Sequence, residues 1–317
     1  MRVAVTGGGG FVGAHLVARL IGARLEVSLV GPDTGRSPYV AALVTAGKAR
    51  FIPCDPTFRD ETVVRSALAD ADVLVHLGHL SSGAADKHSE EPERNVAATT
   101  RLLRAAAGRV RHVVFASSDS VYGTPVRMPA RELDPARPRT SFGLAKLACE
   151  QAVRGSCATA GVSASILRYA SVYGPGETAS RAIPRFIRAA LAGEPLLVAG
   201  QGVDEGDYVH VTDAVTATMN ALRREADGTY NVGTGIGTTT VELAQLVIWI
   251  SGGKARLVRG ASNDGERDRT SVVLDPGFAR SAISFVAGRS LSEGLAEEIG
   301  WFKAAAASEP RQLPASA

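Results

Sequence analysis

Cysteine is scarce in this 317-residue sequence: Cys54, Cys149 and Cys157 are all there is, and no CxxC pair occurs. An odd count without paired spacing argues against a disulfide framework and against a thiolate metal site, and fits a reducing, cytoplasmic compartment. Blocks of like charge are also missing. Lys and Arg are scattered among Asp and Glu, with a formal net charge of only +3, so nucleic acid is not the expected partner. Long apolar runs are absent too, which leaves no candidate membrane span. From Met1 to Thr6 the chain enters a strand pattern directly, without the basic and then apolar segments of an export signal. No internal repeat is visible and no metal is expected. What remains is 45% hydrophobic and 21% charged, the balance of a folded globular chain long enough for one large or two modest domains. A small molecule is the expected partner, and a homodimer is the base-rate assembly.

Short β-rich runs alternate with helical patterns. Val3-Ala4-Val5, Val27-Ser28-Leu29-Val30, Phe51-Ile52, Val73-Leu74-Val75, Val113-Val114-Phe115 and Ile166-Leu167 are the strand candidates. Apolar runs hidden on both faces and separated by helix-length segments predict an α/β fold: a doubly wound, Rossmann-like parallel sheet. Residues 1–170 are read as this dinucleotide-binding domain, with 207–235 returning to it. The Gly- and Pro-punctuated stretch 171–307 is read mainly as a smaller C-terminal α/β substrate domain, and 308–317 as a flexible tail. Thr239-Thr240-Val241-Glu242 has the pattern of a capping box, with Gly252-Gly253 as the stop of its helix, and Ser290-Leu291-Ser292-Glu293 opens another helix.

Thr6-Gly7-Gly8-Gly9-Gly10-Phe11-Val12-Gly13 follows the first strand and runs into a helix with Leu16, Val17, Leu20 and Ile21 on one face. In that context the glycines admit a pyrophosphate to the backbone, and the helix N-terminus attracts its charge. Gly7, Gly10 and Gly13, with Phe11 and Val12, are therefore the candidate contacts of NAD or NADP. At the end of the second strand, Asp33 is placed to reach the adenosine ribose, while Arg36 is either a partner for a 2′-phosphate or a solvated loop cation. Asp55, after the third strand, is either an adenine-side contact or a loop cap.

Several ordered segments then resemble the extended short-chain dehydrogenase/reductase family, the group of NAD-dependent epimerases and dehydratases, over nearly the whole chain. The glycine motif is one. Others are His76-Leu77-Gly78, Asn95, Phe115-Ala116-Ser117-Ser118-Asp119-Ser120-Val121-Tyr122-Gly123, Leu167-Arg168-Tyr169 through Tyr173-Gly174-Pro175, and Asp207-Tyr208-Val209-His210-Val211-Thr212-Asp213. The resemblance implies that Leu77 and Gly78 line the cofactor site, that Ser118 hydrogen-bonds the reacting oxygen, and that Asn95 supports the site. Ser117, Asp119, Tyr173 and Arg267 are the further substrate-side candidates, with a turn-capping role as the other reading of Asp119 and a solvated surface cation as that of Arg267.

The family's Tyr-x-x-x-Lys motif falls on Phe142-Gly143-Leu144-Ala145-Lys146. In the family the phenol moves a proton while hydride passes to or from nicotinamide, and the lysine lowers the phenol's pKa and holds the nicotinamide ribose. Phe142 has no transferable proton. Three readings stay open: an engineered change that stalls turnover, another donor in the phenol's place, or a protein that no longer performs redox chemistry. Tyr122, Tyr173, His79 and Ser118 are the alternative donors. The family's phosphate-gripping arginine is Gly206 here, and its Phe-Asn pair is Ala170-Ser171. These departures point away from a nucleotide sugar and toward another sugar-like or natural-product substrate. The expected function is NAD(P)-dependent oxidation or epimerisation at a secondary alcohol. The alternatives are a non-catalytic NAD(P)-binding sensor or platform, and non-redox elimination or cyclisation with retained cofactor.

Overall fold

A computed structural model describes residues 1–34, 37–80, 90–260 and 271–308. In chain order its elements begin β1 (Arg2–Thr6), α1 (Phe11–Gly22), β2 (Glu26–Gly31), α2 (Pro38–Thr45), β3 (Arg50–Pro53), α3 (Glu61–Ala67), β4 (Val73–His76), α4 (Glu91–Ala106) and β5 (His112–Ser118). A 3-10 turn (Asp119–Val121) leads to α5 (Ser141–Ala160), β6 (Ser163–Tyr169), β7 (Ser171–Tyr173), α6 (Ala182–Ala192), β8 (Leu196–Ala199) and β9 (Glu205–His210). Then come α7 (Val211–Arg224), β10 (Gly228–Val232), β11 (Gly237–Thr239), α8 (Thr240–Ser251), β12 (Leu257–Gly260), α9 (Gly277–Ile283) and α10 (Leu291–Ser308).

All six strand candidates are strands. They join β10 in a seven-stranded sheet of order β10-β6-β5-β4-β1-β2-β3, parallel at every pairing. Strand alternation divides the apolar residues between two cores. Val3, Val5, Val73 and Val75 face one side with Leu16, Val17 and Leu20 of α1 and Val215 of α7. Ala4, Leu74, Val113 and Phe115 face the other with Val64 of α3, Leu102 of α4 and Val153 of α5. Both faces are covered, which is why these strands read as unbroken apolar runs. The order reverses at β1, so the crevice beyond the carboxyl ends of β1 and β4 is where such a sheet takes its ligand.

The chain divides into two compact units: one of Met1–Val172, Glu205–Gly237 and Thr270–Gly288, the other of Tyr173–Asp204, Thr238–Arg269 and Arg289–Ala317. The stretch 171–307 is therefore shared between the two units. Besides the segment around 207–235, the described part of 270–288 packs with the sheet, because Val272 bridges to Gly206, Leu274 bridges to Ala130, and α9 lies against β10 and α7. In the second unit β12 pairs in parallel with β8, Leu257 beside Leu196. There α8 opens with a full capping box, the Thr239 and Glu242 side chains each binding the other's backbone, and it stops at Gly252 with φ +117°. Ser290 and Glu293 exchange the same pair of bonds ahead of α10. No described helix is long and apolar enough to cross a membrane.

Candidate active site

After Thr6 the chain must reverse within a few residues to start α1. Gly7 does this at φ +70°, and a Cβ there would lie 2.7 Å from the Gly78 amide nitrogen and 2.9 Å from the Leu77 carbonyl carbon. Glycine alone meets both demands. A Cβ on Gly13 would overlap the Gly7 carbonyl oxygen, so this third glycine lets the helix sit down on the turn. Gly10 is the N-cap and no side chain caps the helix. The amides of Phe11, Val12 and Gly13 precede the first intrahelical bond, from Ala14 N–H to the Gly10 carbonyl at 2.8 Å. A side-chain-free bend with outward amides at the positive end of a helix fits a dinucleotide's pyrophosphate.

The neighbouring strand end is fixed by a buried polar chain. Thr6 Oγ1 and His76 Nδ1 are 2.6 Å apart, and His76 Nε2 meets Thr99 Oγ1 of α4 at 3.1 Å. Burial drives the His76 pKa down to about 3, so the ring is neutral and both nitrogens serve as hydrogen-bonding groups. Leu77 N–H then donates to the Thr6 carbonyl at 3.1 Å, holding Leu77 and Gly78 against Gly7. The next residue, His79, stands edge-on to Phe142 with ring centroids 4.8 Å apart. Its Nε2 is 2.7 Å from Glu91 Oε1, in the first turn of α4.

β5 delivers the serines. Ser118 donates its hydroxyl to Asp119 Oδ1 at 2.9 Å and accepts from the Ser120 amide at 3.2 Å. Burial lifts the Asp119 carboxyl to about 6, against the lowering effect of the Ser118 hydrogen bond. The first turn of α5 is pressed onto this strand end: a Cβ on Gly143 would be 2.5 Å from the Ser120 carbonyl oxygen. Thr140 caps that turn, its Oγ1 accepting from Gly143 N–H at 3.1 Å. Phe142 and Lys146, one turn apart, share one face of α5. Lys146 Nζ donates to the Ala116 carbonyl at 2.8 Å and lies 5.7 Å from the Phe142 ring centroid. Burial lowers its pKa to about 8. Phe142 is 38% exposed and closes this group with a bare ring.

A glycine cradle, a serine and an i,i+4 lysine on one parallel sheet agree with the family-model comparison. The model described as NAD dependent epimerase/dehydratase family matches residues 3–233. The chain belongs to that family. It is similar to a UDP-glucose 4-epimerase of Mycolicibacterium smegmatis, 32% identical over 96% of this chain and 99% of the relative. It is 30% identical to a UDP-N-acetyl-alpha-D-glucosaminuronate decarboxylase of Bacillus cytotoxicus, over 95% of this chain and 98% of the relative. Among solved structures it resembles the UDP-glucuronic acid 4-epimerase of Bacillus cereus in complex with UDP-glucuronic acid and NAD. That likeness has a TM-score of 0.84 and 25% identity, over 96% of this chain and all of the other. The chain is thus an enzyme of the extended short-chain dehydrogenase/reductase type, with that family's Rossmann-like sheet.

Within the family frame, the structure brings Gly7, Gly10, Phe11, Val12, Gly13, Leu77 and Gly78 together at the switch point, and Ser118, Asp119, Phe142 and Lys146 beyond β5. Asn95 is engaged with the turn after β4. Its side chain accepts from Leu80 N–H and donates to the Leu80 and Glu91 carbonyls, each at 2.9 Å, clamping the turn that carries His79. Ser117 and Tyr173 lie elsewhere than expected, whereas Asp55 takes the loop-cap alternative of its two readings. Ser117, on the opposite side of β5 from Ser118, is 4% exposed and donates to Glu150 at 2.5 Å inside the fold. Tyr173 is buried with its hydroxyl toward the Ser290 and Leu291 carbonyls. Asp55 accepts from the Thr57 hydroxyl and the Arg59 amide and closes its own loop. Of the alternative donors, Tyr122 is buried and committed to Asn231 and Arg168. Asp33 lies exposed just past β2, whereas Arg36 and Arg267 fall outside the described residues.

Sequence reasoning missed Glu91, Glu150 and the tight fit of Gly143. Glu150 lies one turn beyond Lys146 and pairs with Arg168 at 2.7 Å, both buried. A charge four residues after the family lysine and an arginine inside a buried strand were the available signals.

Proposed function

We propose that the chain binds NAD at the β1–α1 turn and catalyses oxidation, with return of the hydride in an epimerase-type cycle, at a secondary hydroxyl of a nucleotide-diphosphate sugar. The observation that carries this reading is the convergence of the Gly7–Gly13 cradle with Ser118, Lys146 and position 142 at the carboxyl ends of strands in one sheet. The substrate class is supported by the relatives, named for UDP-sugars, and by the Bacillus cereus structure, which holds UDP-glucuronic acid together with NAD.

Bound in the cradle, NAD supplies the hydride acceptor. The chain's own residues do the rest. Outward amides of Phe11, Val12 and Gly13 bind the pyrophosphate, and Asp33 accepts from the adenosine ribose. Lys146 is the residue to hold the nicotinamide ribose, exchanging its bond to the Ala116 carbonyl. Ser118 hydrogen-bonds the reacting oxygen, and Asp119, tied to the Ser118 hydroxyl, fixes the direction of that bond. Phe142 keeps the shape of the family tyrosine without its proton, so proton transfer falls to another group. On the substrate side, Tyr208 covers the place where the family arginine would begin: a Cβ on Gly206 would sit 3.0 Å from the Tyr208 hydroxyl. The sugar's pyrophosphate must be gripped by other donors.

The test is to incubate the protein with NAD and UDP-glucose, UDP-glucuronic acid or dTDP-glucose, follow reduced nicotinamide by absorbance, and identify products by NMR. Calorimetry measures NAD binding in parallel. Turnover of any of these sugars supports the reading. NAD binding without turnover, both by the chain as it stands and by Phe142→Tyr, would overturn it in favour of a non-catalytic dinucleotide-binding protein, the reading that the bare Phe142 ring supports.

A further inference from the structure

Among the described residues, the imidazole that touches position 142 comes from the turn after β4. The His79 ring meets the Phe142 ring edge-on, 4.8 Å between centroids and 76° between planes. The same ring is also close to the Lys146 ammonium, which lies 5.7 Å from its centroid. The imidazole is held from behind. Its Nε2 is 2.7 Å from Glu91 Oε1, and the Glu91 side chain is only 8% exposed. Asn95, one turn further along α4, clamps the adjacent Leu80 through both of its amide groups. A carboxylate only accepts, so Nε2 carries the hydrogen and Nδ1 presents its lone pair. Among the described residues Nδ1 has no hydrogen-bond partner.

We propose that His79, oriented by Glu91, moves the proton to and from the reacting hydroxyl in the place that a tyrosine occupies in the family. This rests on the hydride-transfer reading above. In the oxidative direction the substrate O–H proton passes to His79 Nδ1, the O–H electron pair becomes the second bond of the carbonyl, and the C–H pair leaves as hydride for NAD. The reverse direction returns both. Glu91 then faces an imidazolium, whose charge it stabilises.

Among the described residues, the charged and titratable groups around His79 are Glu91 on α4, Lys146 on α5 and His76 on β4. Burial and the Lys146 charge push the His79 pKa below the ordinary histidine value, while Glu91 pulls the other way. Neutral His76 adds no charge at neutral pH. His79 is therefore a free base near pH 7, as an oxidation step requires. Glu91 and Asn95 are positioning residues, and His79 is the catalytic one.

The experiment uses the NAD-loaded protein with UDP-glucose, UDP-glucuronic acid and dTDP-glucose. His79→Ala is expected to lower kcat by about 10²–10⁴-fold while NAD affinity by calorimetry stays put. Adding Phe142→Tyr to His79→Ala restores turnover at least about tenfold, a rescue that a merely structural histidine would not give. Independently of activity, NMR titration of the His79 ring shows its pKa falling in Glu91→Gln, and the acidic limb of the pH–rate profile moves down with it. Turnover by His79→Ala within about threefold of the unaltered chain overturns the proposal, as does a His79 pKa indifferent to Glu91→Gln. If the unaltered chain is inactive and Phe142→Tyr alone is active, the histidine pair is refuted while hydride transfer stands. If both are inactive with NAD bound, the hydride-transfer reading falls and takes the pair with it.

Discussion

A single methyl group at Gly7 tests the cofactor cradle. The residue combines φ +70° with an approach that leaves a Cβ 2.7 Å from the Gly78 amide. Gly7→Ala forces the turn away from Leu77 and Gly78 and should cost about 1–3 kcal/mol of stability. NAD affinity, read by calorimetry on the folded fraction, should fall at least about tenfold, since each 1.4 kcal/mol of misplaced amide contact is a factor of ten. Ser118→Ala makes a complementary test at the other strand end. It removes one preorganised hydrogen-bonding hydroxyl, and kcat should drop about 10²–10³-fold with NAD binding unchanged. Both residues were legible in the sequence because each sits in a short motif whose chemistry is local. Glu91 was not, because its role is set by contact with His79, twelve positions earlier in sequence. Ser117 misled for a simpler reason: adjacent residues of a strand face opposite ways, and one step along β5 separates the site from the interior.

At the scale of elements, the position of the α5 lysine depends on how the helix is anchored to the sheet. The anchor is ionic and buried: Arg168 on β6 donates to both Glu150 oxygens at 2.9 and 2.7 Å, and Ser117 on β5 gives Glu150 its hydroxyl. Arg168 also reaches the Tyr122 hydroxyl at 3.0 Å and the Glu132 carbonyl at 3.1 Å. Removing one partner strands a charge in the fold, so Glu150→Ala should cost about 3–5 kcal/mol. Replacing both by methionine should cost clearly less than the two single changes summed, because no lone charge is left behind. Urea titration of the four proteins measures the coupling. If Glu150→Ala alone costs under about 1 kcal/mol, the pair is not the anchor. The strands themselves were readable in advance, since a parallel sheet covered on both faces demands unbroken apolar runs. The second return of the chain to the sheet unit, near Val272 and Leu274, was not, for those residues form isolated bridges and carry no helical or strand period of their own.

Across the whole molecule, pH acts on the two units through different buried groups. In the sheet unit, burial holds His76 at about 3 and His112 at about 4. Both are lowered from the ordinary value, so their contribution is complete above about 6.5 and is lost as acid charges them. In the second unit the slope is reversed. Glu298, fully buried on α10, is raised to about 8, first by burial and then by the nearby Glu177 carboxyl. Its folded form keeps a proton that the unfolded chain releases near the ordinary glutamate value, so stability declines as pH climbs from about 4.5 to about 8 and levels off beyond. Glutamine has nearly the same shape and never ionises. Glu298→Gln should therefore melt at the same temperature as the unaltered protein near pH 4, with a gap that widens steadily up to pH 8. There the variant should be ahead by about 2–4 °C for each kcal/mol recovered. Calorimetric melts at matched ionic strength across that range read the difference directly. A gap that is constant with pH would mean that the carboxyl does not titrate inside the fold.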